Sequence, residues 1–427
     1  MLEKEIKEKL EYIDIYKALD LINNQIDYTT QEIELPIKKS IDHILSQDIT
    51  ATIDNPPFNN SAMDGIAIKY QDLKISNIFK ITKLLRAKKI NPQNLINYKK
   101  QSLNEYPTAI EISTGAIVPP EFNTIIPYED LTFISPKIVK IKDEKLEKIK
   151  INQHIRFKGE DFQKDQIILK KGTLLTPLNI SLLAFNGIKK VKVYKKPIIS
   201  LITTGNEIIE LHKKPTLGEI YNSNKYSLLA YITKLASPGI IKHIPDSKTK
   251  IKKTIEKALK ISDIIITVGG ISKGKYDLIN NILEEINTKI IFKKLKLKPG
   301  KPTTFSIYQN KSKKVLIFSL PGNPISALFN FNKFIIPVIF KLQNYNYIPK
   351  KIKAQLIEDI NIKKEDDRII MLPSYCYSND NGEYFVKPIT KWGSHTIGIL
   401  NQINSYIEIN TNHIPSKTNI TCTFLET

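Results

Sequence analysis

Residues 263–277 read DIIITVGGISKGKYD. Five β-branched residues in a row, Ile264 to Val268, stop at a glycine pair, and the helical periodicity of LINNILEEI (278–286) follows. A strand that is apolar at every position has both faces buried, as in a parallel sheet covered by helices. The same unit recurs on either side. Upstream, strand 197–203 leads through a loop to helix 223–236, and strand 239–244 leads to helix 248–261. Downstream of helix 276–286 come strands 289–297, 303–308 and 315–319. A closing helix follows over 324–341, with Asn323 as N-cap and Pro324 in the first position. Strands alternating with helices predict right-handed crossovers and a mostly parallel, doubly wound sheet.

The flanks read differently. Ile6, Leu10, Ile13, Ala18, Leu21 and Ile22 recur at near-helical spacing and predict an amphipathic helix over 5–25. A second helix is predicted around 38–47. From Asp54 to about Lys148, β-prone pieces such as FKITKLL (79–85), IEIS (110–113) and TIIPY (124–128) alternate with turn clusters. That pattern predicts a small β-rich unit. Thr176 ahead of Pro177 starts a helix that Gly187 closes, and VKVY (191–194) is a short strand. Residues 350–427 hold no helical pattern: AQLIEDI, RIIMLPSYC, EYFVKPI, SYIEI and TNITCTFLE read as strands of a small β domain.

Of 427 residues, 41% are hydrophobic and 25% charged, which is ordinary globular usage. The formal charge of +21 raises the question of a nucleic-acid or anionic-membrane partner. Among 64 basic residues, however, only Arg86, Arg156 and Arg368 are arginines. Arginine reads base edges and clamps phosphates bidentately, so a lysine surplus spread along the whole chain argues against a nucleic-acid footprint. Cys376 and Cys422 fit no metal spacing, and a disulfide scaffold is excluded. MLEKEIKEKL has no apolar core of the signal-peptide kind. The most apolar stretch, Phe329 to Leu342, is broken by Lys333 and Pro337, so no membrane span is expected. A soluble, cytoplasmic protein follows.

In open parallel sheets, ligands bind outside the carboxyl ends of the strands. The loops expected there are TTGNE (203–207), Pro245-Asp246, VGGISKGKYD (268–277), KPGKP (298–302) and SLPGNP (319–324). Five polar, Gly- and Pro-rich loops on one edge form a site. Gly269, Gly270 and Gly274 allow backbone amides close to an anion, and Ser272 adds a hydroxyl. The same glycines also serve a tight strand-to-helix turn. Asp277 fits Mg²⁺ held against phosphate oxygens, and equally a first-turn acid on the helix dipole. Lys298 and Lys301 sit in a turn stiffened by Pro299, Gly300 and Pro302, which lowers the ordering cost of an anion contact. Pro321, Gly322, Asn323 and Pro324 end a buried strand and start a helix, whose free amides and Ser326 suit an oxyanion. Glu207, Asp246 and Asp277 opposite two lysines fit metal-assisted handling of a phosphorylated ligand. Two further dense motifs, PPFNNSAMDGIAI (56–68) and STGAIVPPE (113–121), lie upstream; Asp64-Gly65 reads as a hairpin turn. Residue chemistry alone does not connect them to the later loops.

The succession PPFNNSAMDGIAI, STGAIVPPEFNTIIPYE, KGEDF, TTGNE, GEIYNSN, VGGISKGKYD, KPGKP and SLPGNPISA, over about residues 50–330, resembles the molybdopterin molybdenumtransferase family. That family includes the E domain of gephyrin. The last 80 or so residues are held mainly by WGS (392–394). The resemblance implies a multidomain α/β fold. Residues 1–45 with 146–195 would form an elongated dimerisation region, and 46–145 an inserted β-rich domain. A doubly wound, MogA-like molybdopterin-binding domain would cover 196–345, and a C-terminal β-barrel 346–427.

The implied protein is a homodimer whose site forms between the doubly wound domain of one subunit and the SAMDG domain of the other. The implied reaction takes adenylyl-molybdopterin and molybdate, hydrolyses the adenylate with Mg²⁺, inserts molybdenum into the dithiolene and releases AMP. Asp246, Asp277 and Glu207 would manage metal and nucleotide. Lys298, Lys301, Ser326 and the 321–324 amides would hold molybdate or phosphate, and Asp64, Thr114 and Asp161 match positions used at or near the site. The preceding adenylyltransferase is a candidate partner. Asn59 and Asn206 stand where the family often has Asp, and Glu111 where it commonly has a basic residue. Two other readings compete. A nucleotide enzyme using the doubly wound domain alone predicts ATP turnover without molybdate, against which the SAMDG and STGA motifs argue. A scaffold would demand an accessory interaction segment, and no linker here is long enough.

Overall fold

The computed structural model describes residues 12–89, 106–271, 277–363 and 366–426. The chain divides into two compact units. One runs to Ser46 and takes in Gly172–Thr176 and the chain from Lys190; the other comprises Gln47–Lys171 and Pro177–Lys189.

The first unit is built on the doubly wound sheet. Numbered within this domain, its elements are β1 (Ile198–Thr204), α1 (Ser223–Leu235), β2 (Ser237–Ile244), α2 (Lys248–Ile261) and β3 (Ile264–Val268). α3 (Leu278–Glu285), β4 (Lys289–Phe292), β5 (Thr304–Gln309), β6 (Lys314–Leu320) and α4 (Pro324–Asn330) follow. The strand order is β2-β1-β3-β6-β5-β4. The first four strands are parallel, and β5 and β4 complete the edge antiparallel. Alternate residues feed two cores: Leu201, Ile266 and Phe318 point into one, Ile202, Ile265 and Ile317 into the other. Burial of both faces explains the unbroken apolar reading of β3. Helix α2 carries Ile251, Ile255, Ala258 and Leu259 as its buried stripe, at the helical repeat.

Two expected elements come out differently. The predicted strand 289–297 stops at Phe292. Leu295 N–H then bonds Lys301 O (2.8 Å) and Lys296 N–H bonds Ile13 O (2.8 Å), so the chain leaves the sheet. Leu297–Lys298 pairs instead with Ile369 and Ile370 of the C-terminal domain. The closing helix runs to Lys341, but Phe331–Ile335 is a π turn. Pro337 has no N–H to offer the carbonyl of residue 333, and the ladder widens ahead of it.

The C-terminal strands form a closed five-stranded barrel. Ile369–Ser378 pairs Tyr384–Pro388, which pairs Lys351–Leu356, then Asn419–Phe424, then Ser405–Ile409, which returns to the first. Leu356, Leu372, Val386, Ile407 and Cys422 fill it. At the amino end, a helix spans Ile15–Asn23, its start fixed by Asp14 Oδ1 accepting Tyr16 N–H at 2.8 Å. The expected helix began at residue 5. Ile13 is instead extended, bridging Leu295, and positions 1–11 lie outside the described residues. The helix expected at 38–47 is absent: a 3₁₀ turn (Ile37–Lys39) leads to Asp42 at φ 58° and to bridges from Ile44 and Leu45. A residue in the left-handed region ends helical propagation.

In the second unit, a six-stranded sheet has the order Thr124–Pro127, Gly65–Ile68, Thr108–Ile112, Ile78–Leu85, Ile138–Ile141, Leu131–Ser135. Phe79, Ile66, Ile126 and Val139 are fully buried in it. Asp64-Gly65 is not a hairpin turn. Gly65 opens a strand between Ile112 and Pro127, and a Cβ there would stand 2.0 Å from Ile126 O. The glycine serves close backbone approach, not a left-handed turn. Among the described residues, no helix is long and apolar enough to cross a membrane.

Candidate active site

All five strand-end loops belong to the first unit, and two clefts open there. The larger, about 790 Å³, is lined by Thr203 to Gly205, Glu207, Asp246, Gly269, Gly270, Asn222 and Asn224, with Pro321 to Pro324 opposite. The smaller, about 340 Å³, is lined by Lys298 to Pro302, Pro321, Asn323 and Ser326. Its far wall comes from the barrel: Arg368, Thr390, Trp392, Gly393 and Ser394. Pro302, Pro321 and Asn323 line both. The two are neighbours with a common wall.

Local chemistry fixes each wall. Gly269 and Gly270 have φ of 89° and 65°, and a Cβ on Gly269 would lie 2.5 Å from Thr204 O. The pair is required by the turn itself. Ser272 and Gly274 lie outside the described residues. Asp246 Oδ1 accepts Thr204 Oγ1–H at 2.7 Å, and its own N–H donates to Asn206 Oδ1 at 3.0 Å. Asn206 therefore keeps the acceptor that an Asp would offer. Glu207 folds its carboxylate back to within 2.8 Å of where a Cβ on Gly205 would stand. Asp277 caps α3: its Oδ1 accepts Asn280 N–H (3.3 Å) and its Oδ2 accepts Asn280 Nδ2–H (2.8 Å). Asp277 stands outside the residues that line the larger cleft.

A Cβ on Gly300, whose φ is 117°, would meet Asn330 Nδ2 at 2.0 Å, so only glycine fits between the two lysines of KPGKP. Asn323 occupies the N-cap position of α4 without a side-chain capping bond; its Nδ2 donates instead to Ser394 Oγ at 2.8 Å. Ile325 N–H is not free either, since Ser394 O accepts it at 3.1 Å. The expected open helix terminus is thus partly closed by the barrel. Arg368 presents Nε to both oxygens of Asp366 (2.8 and 2.6 Å) while lining the smaller cleft.

Among the described residues, no group of three or more His, Cys, Asp or Glu side chains could hold a metal ion. Glu207 and Asp246 on one cleft fit a different mode, in which Mg²⁺ takes one or two carboxylates and completes its shell with phosphate oxygens and water.

In the second unit, Asp64 Oδ1 accepts Thr114 N–H at 2.7 Å, and Ser61 exchanges backbone bonds with Gly115 and Ala116 (2.8 and 3.0 Å). The two upstream motifs are therefore laced together, with Asp64 and Thr114 exposed at the junction. Asp161 Oδ2 accepts Asn55 Nδ2–H at 2.7 Å. Asn59 Oδ1 accepts Lys158 N–H (2.8 Å) and Glu111 accepts Tyr128 O–H (2.6 Å). Sequence reasoning missed Arg368, Ser394 and His395, which lines the larger cleft. The scarcity of arginine and the WGS motif were the available signals.

A doubly wound domain whose strand-end loops line two clefts, the smaller one closed by an adjoining barrel, defines a multidomain α/β protein with its clefts at the carboxyl edge of the sheet. Comparison narrows this. Residues 13–187 match the family model for the MoeA N-terminal region (domain I and II), and 200–341 match that for a probable molybdopterin binding domain. Molybdopterin molybdenumtransferase of Haemophilus influenzae is 31% identical over 388 residues, 90% of this chain and 91% of that protein. The Staphylococcus aureus enzyme of the same name is 29% identical, covering 83% and 82%. The crystal structure of the molybdopterin biosynthesis moeA protein from Pyrococcus horikoshii OT3 superposes with a TM-score of 0.78 at 26% identity, over 97% of this chain and 100% of that one. The chain belongs to the molybdopterin molybdenumtransferase family, transferases of molybdenum cofactor biosynthesis.

Proposed function

We propose that this chain, as a homodimer, hydrolyses adenylyl-molybdopterin with Mg²⁺ and inserts molybdate into the dithiolene, giving molybdenum cofactor and AMP. The observation that carries the reading is the pair of clefts sharing Pro302, Pro321 and Asn323. One is lined by Lys298, Lys301, Arg368, Ser326 and Ser394, donors and cations suited to a compact oxyanion such as molybdate. The other combines the glycine turn with Glu207 and Asp246, suited to a phosphorylated pterin and its nucleotide. Two reactants held on either side of one wall meet without diffusion, which removes most of the entropic cost of a bimolecular step.

Mg²⁺ would rest on Asp246 and Glu207 and neutralise the phosphoanhydride as its bond breaks. Thr204 and Asn206 orient Asp246 for that role. Asp277 sets the first turn of α3, and with it the end of the 268–277 loop. In the dimer, the division into an elongated region (1–45 with 146–195), inserted domain, doubly wound domain and barrel brings Asp64, Thr114 and Asp161 to the partner's cleft. The preceding adenylyltransferase is the natural donor of substrate, and the cytoplasm the natural compartment. Purified protein given adenylyl-molybdopterin, Mg²⁺ and molybdate should release AMP with molybdenum bound to product. Absence of AMP release would sink the proposal.

A further inference from the structure

At the amino-terminal edge of the doubly wound sheet, away from the strand-end loops, lies another cleft of about 570 Å³. The residues ahead of β1, the start of β6 and the 27–31 segment form its walls. Lys195, Lys196, Lys311, Lys313 and Lys314 line it, against the carboxylates of Asp27 and Asp263. In a lysine-rich chain, a lysine on a surface carries no information. These differ because all but Lys311 are partly buried.

Lys314, only 13% exposed, pairs with Asp27 at 3.0 Å. Lys196 Nζ donates to Lys234 O at 2.9 Å, and Lys313 Nζ to Lys260 O at 3.1 Å. Among the described residues, neither has a carboxylate within ion-pair distance. Asp263 is engaged elsewhere, its Oδ2 accepting Ile198 N–H at 2.7 Å. Burial pushes the pKa values of both Lys196 and Lys313 below the ordinary lysine value. Two partly desolvated cations held on neutral carbonyls lack a direct ion-pair partner, Asp42 and Asp263 acting on them only from beyond ion-pair distance. Five lysines against two carboxylates leave the cleft net positive, an arrangement that an incoming anion relieves.

We propose that this cleft is a second anion site, taking a small phosphate-bearing molecule at the edge of the sheet opposite the candidate active site. The ligand class follows from the donors. Ammonium groups are point charges with rotatable donors, which suit the several acceptor oxygens of a phosphate. The volume admits a molecule up to the size of a mononucleotide. The inference goes beyond the proposed reaction and stands without it.

Equilibrium dialysis of the full chain against pyrophosphate, and separately against AMP, at ~150 mM salt tests it. Two classes of saturable site are expected. Lys196→Gln with Lys313→Gln should weaken one class by about tenfold or more, while Lys298→Gln with Lys301→Gln weakens the other. Tighter binding of AMP identifies a nucleotide as the ligand, and tighter binding of pyrophosphate identifies bare phosphate. A single class of site, or a second class indifferent to Lys196 and Lys313, overturns the proposal, as does saturable binding of poly-glutamate without binding of either phosphate probe. Should the variants fold poorly, acetylation of wild-type lysines read by mass spectrometry decides. Pyrophosphate should slow modification of Lys195, Lys196 and Lys313 at least threefold or so, and unchanged rates would refute the site.

Discussion

The two edges of the doubly wound sheet are built by opposite means. At the carboxyl edge, position is dictated by the main chain. Gly269, Gly270 and Gly300 are fixed by φ and by neighbours that leave no room for a Cβ, and short side chains such as Thr204, Asn206 and Asn323 brace the loops. At the amino edge, long lysines reach over ordinary strand starts and settle on carbonyls of Lys234 and Lys260. Rigid backbone preorganises a reaction, since charges already in place need no reorganisation as the transition state forms. Flexible ammonium groups bind without that demand. The first edge should therefore be intolerant of backbone change in stability and of charge change in rate, and the second tolerant of both.

The sharpest break of this contrast is Gly269→Ala. A Cβ at φ 89°, 2.5 Å from Thr204 O, should cost roughly 2–4 kcal/mol by urea denaturation. Lys196→Gln should cost less than about 1 kcal/mol. Lys301→Ala should lower AMP release by ~100-fold with the denaturation midpoint nearly unchanged, because it removes a charge poised for the reaction. Asp277→Asn instead acts through the α3 cap and should show first in the denaturation midpoint, by about 1 kcal/mol. Lys313→Gln should leave that rate within about twofold. Equal losses from both edges would dissolve the distinction.

The pH dependence of stability sharpens it further. Burial holds His243, bonded to Thr203 Oγ1 at 3.2 Å near the carboxyl edge, below the ordinary histidine value. The unfolded chain thus binds the proton first as pH falls. The stability carried by the neutral ring is full above pH ~6.5 and is lost as pH falls through the folded-state value. Lys196 and Lys313 are shifted in the same direction, so stability should climb as pH rises through the window just below their ordinary value of 10.5. Urea midpoints across pH should show both slopes. His243→Gln should flatten only the acid one, and the Lys196/Lys313 double variant only the alkaline one. At the carboxyl edge a modest effect is expected of Asn323→Ala, about 1 kcal/mol for the lost Ser394 bond, with weaker molybdate capture in the AMP-release assay.

The wound domain was legible because burial on both faces leaves an unmistakable run, as at Ile264 to Val268. Helix α2 appears at the bounds its periodicity predicts, Lys248–Ile261. Where the reading failed, a tertiary partner outweighed local preference. Ile44 and Leu45 answer to Leu174 and Val193 and not to a helix, and Gly65 answers to a neighbouring strand and not to a turn. Asn323 has the residue type and position of a cap, yet Ser394 takes its amide from 71 residues away.

By itself the sequence determined the class of sheet, the loops that follow its strands and the motifs that mark the family. Each of these depends on periodicity or on residues adjacent in the chain. Only the tertiary structure decided that Arg368 and Ser394 close the smaller cleft, that this cleft shares a wall with the larger one, and that the surplus of lysine has a focus opposite both. Those facts rest on contacts between segments far apart in sequence, whose energies come from burial and charge that no local pattern encodes.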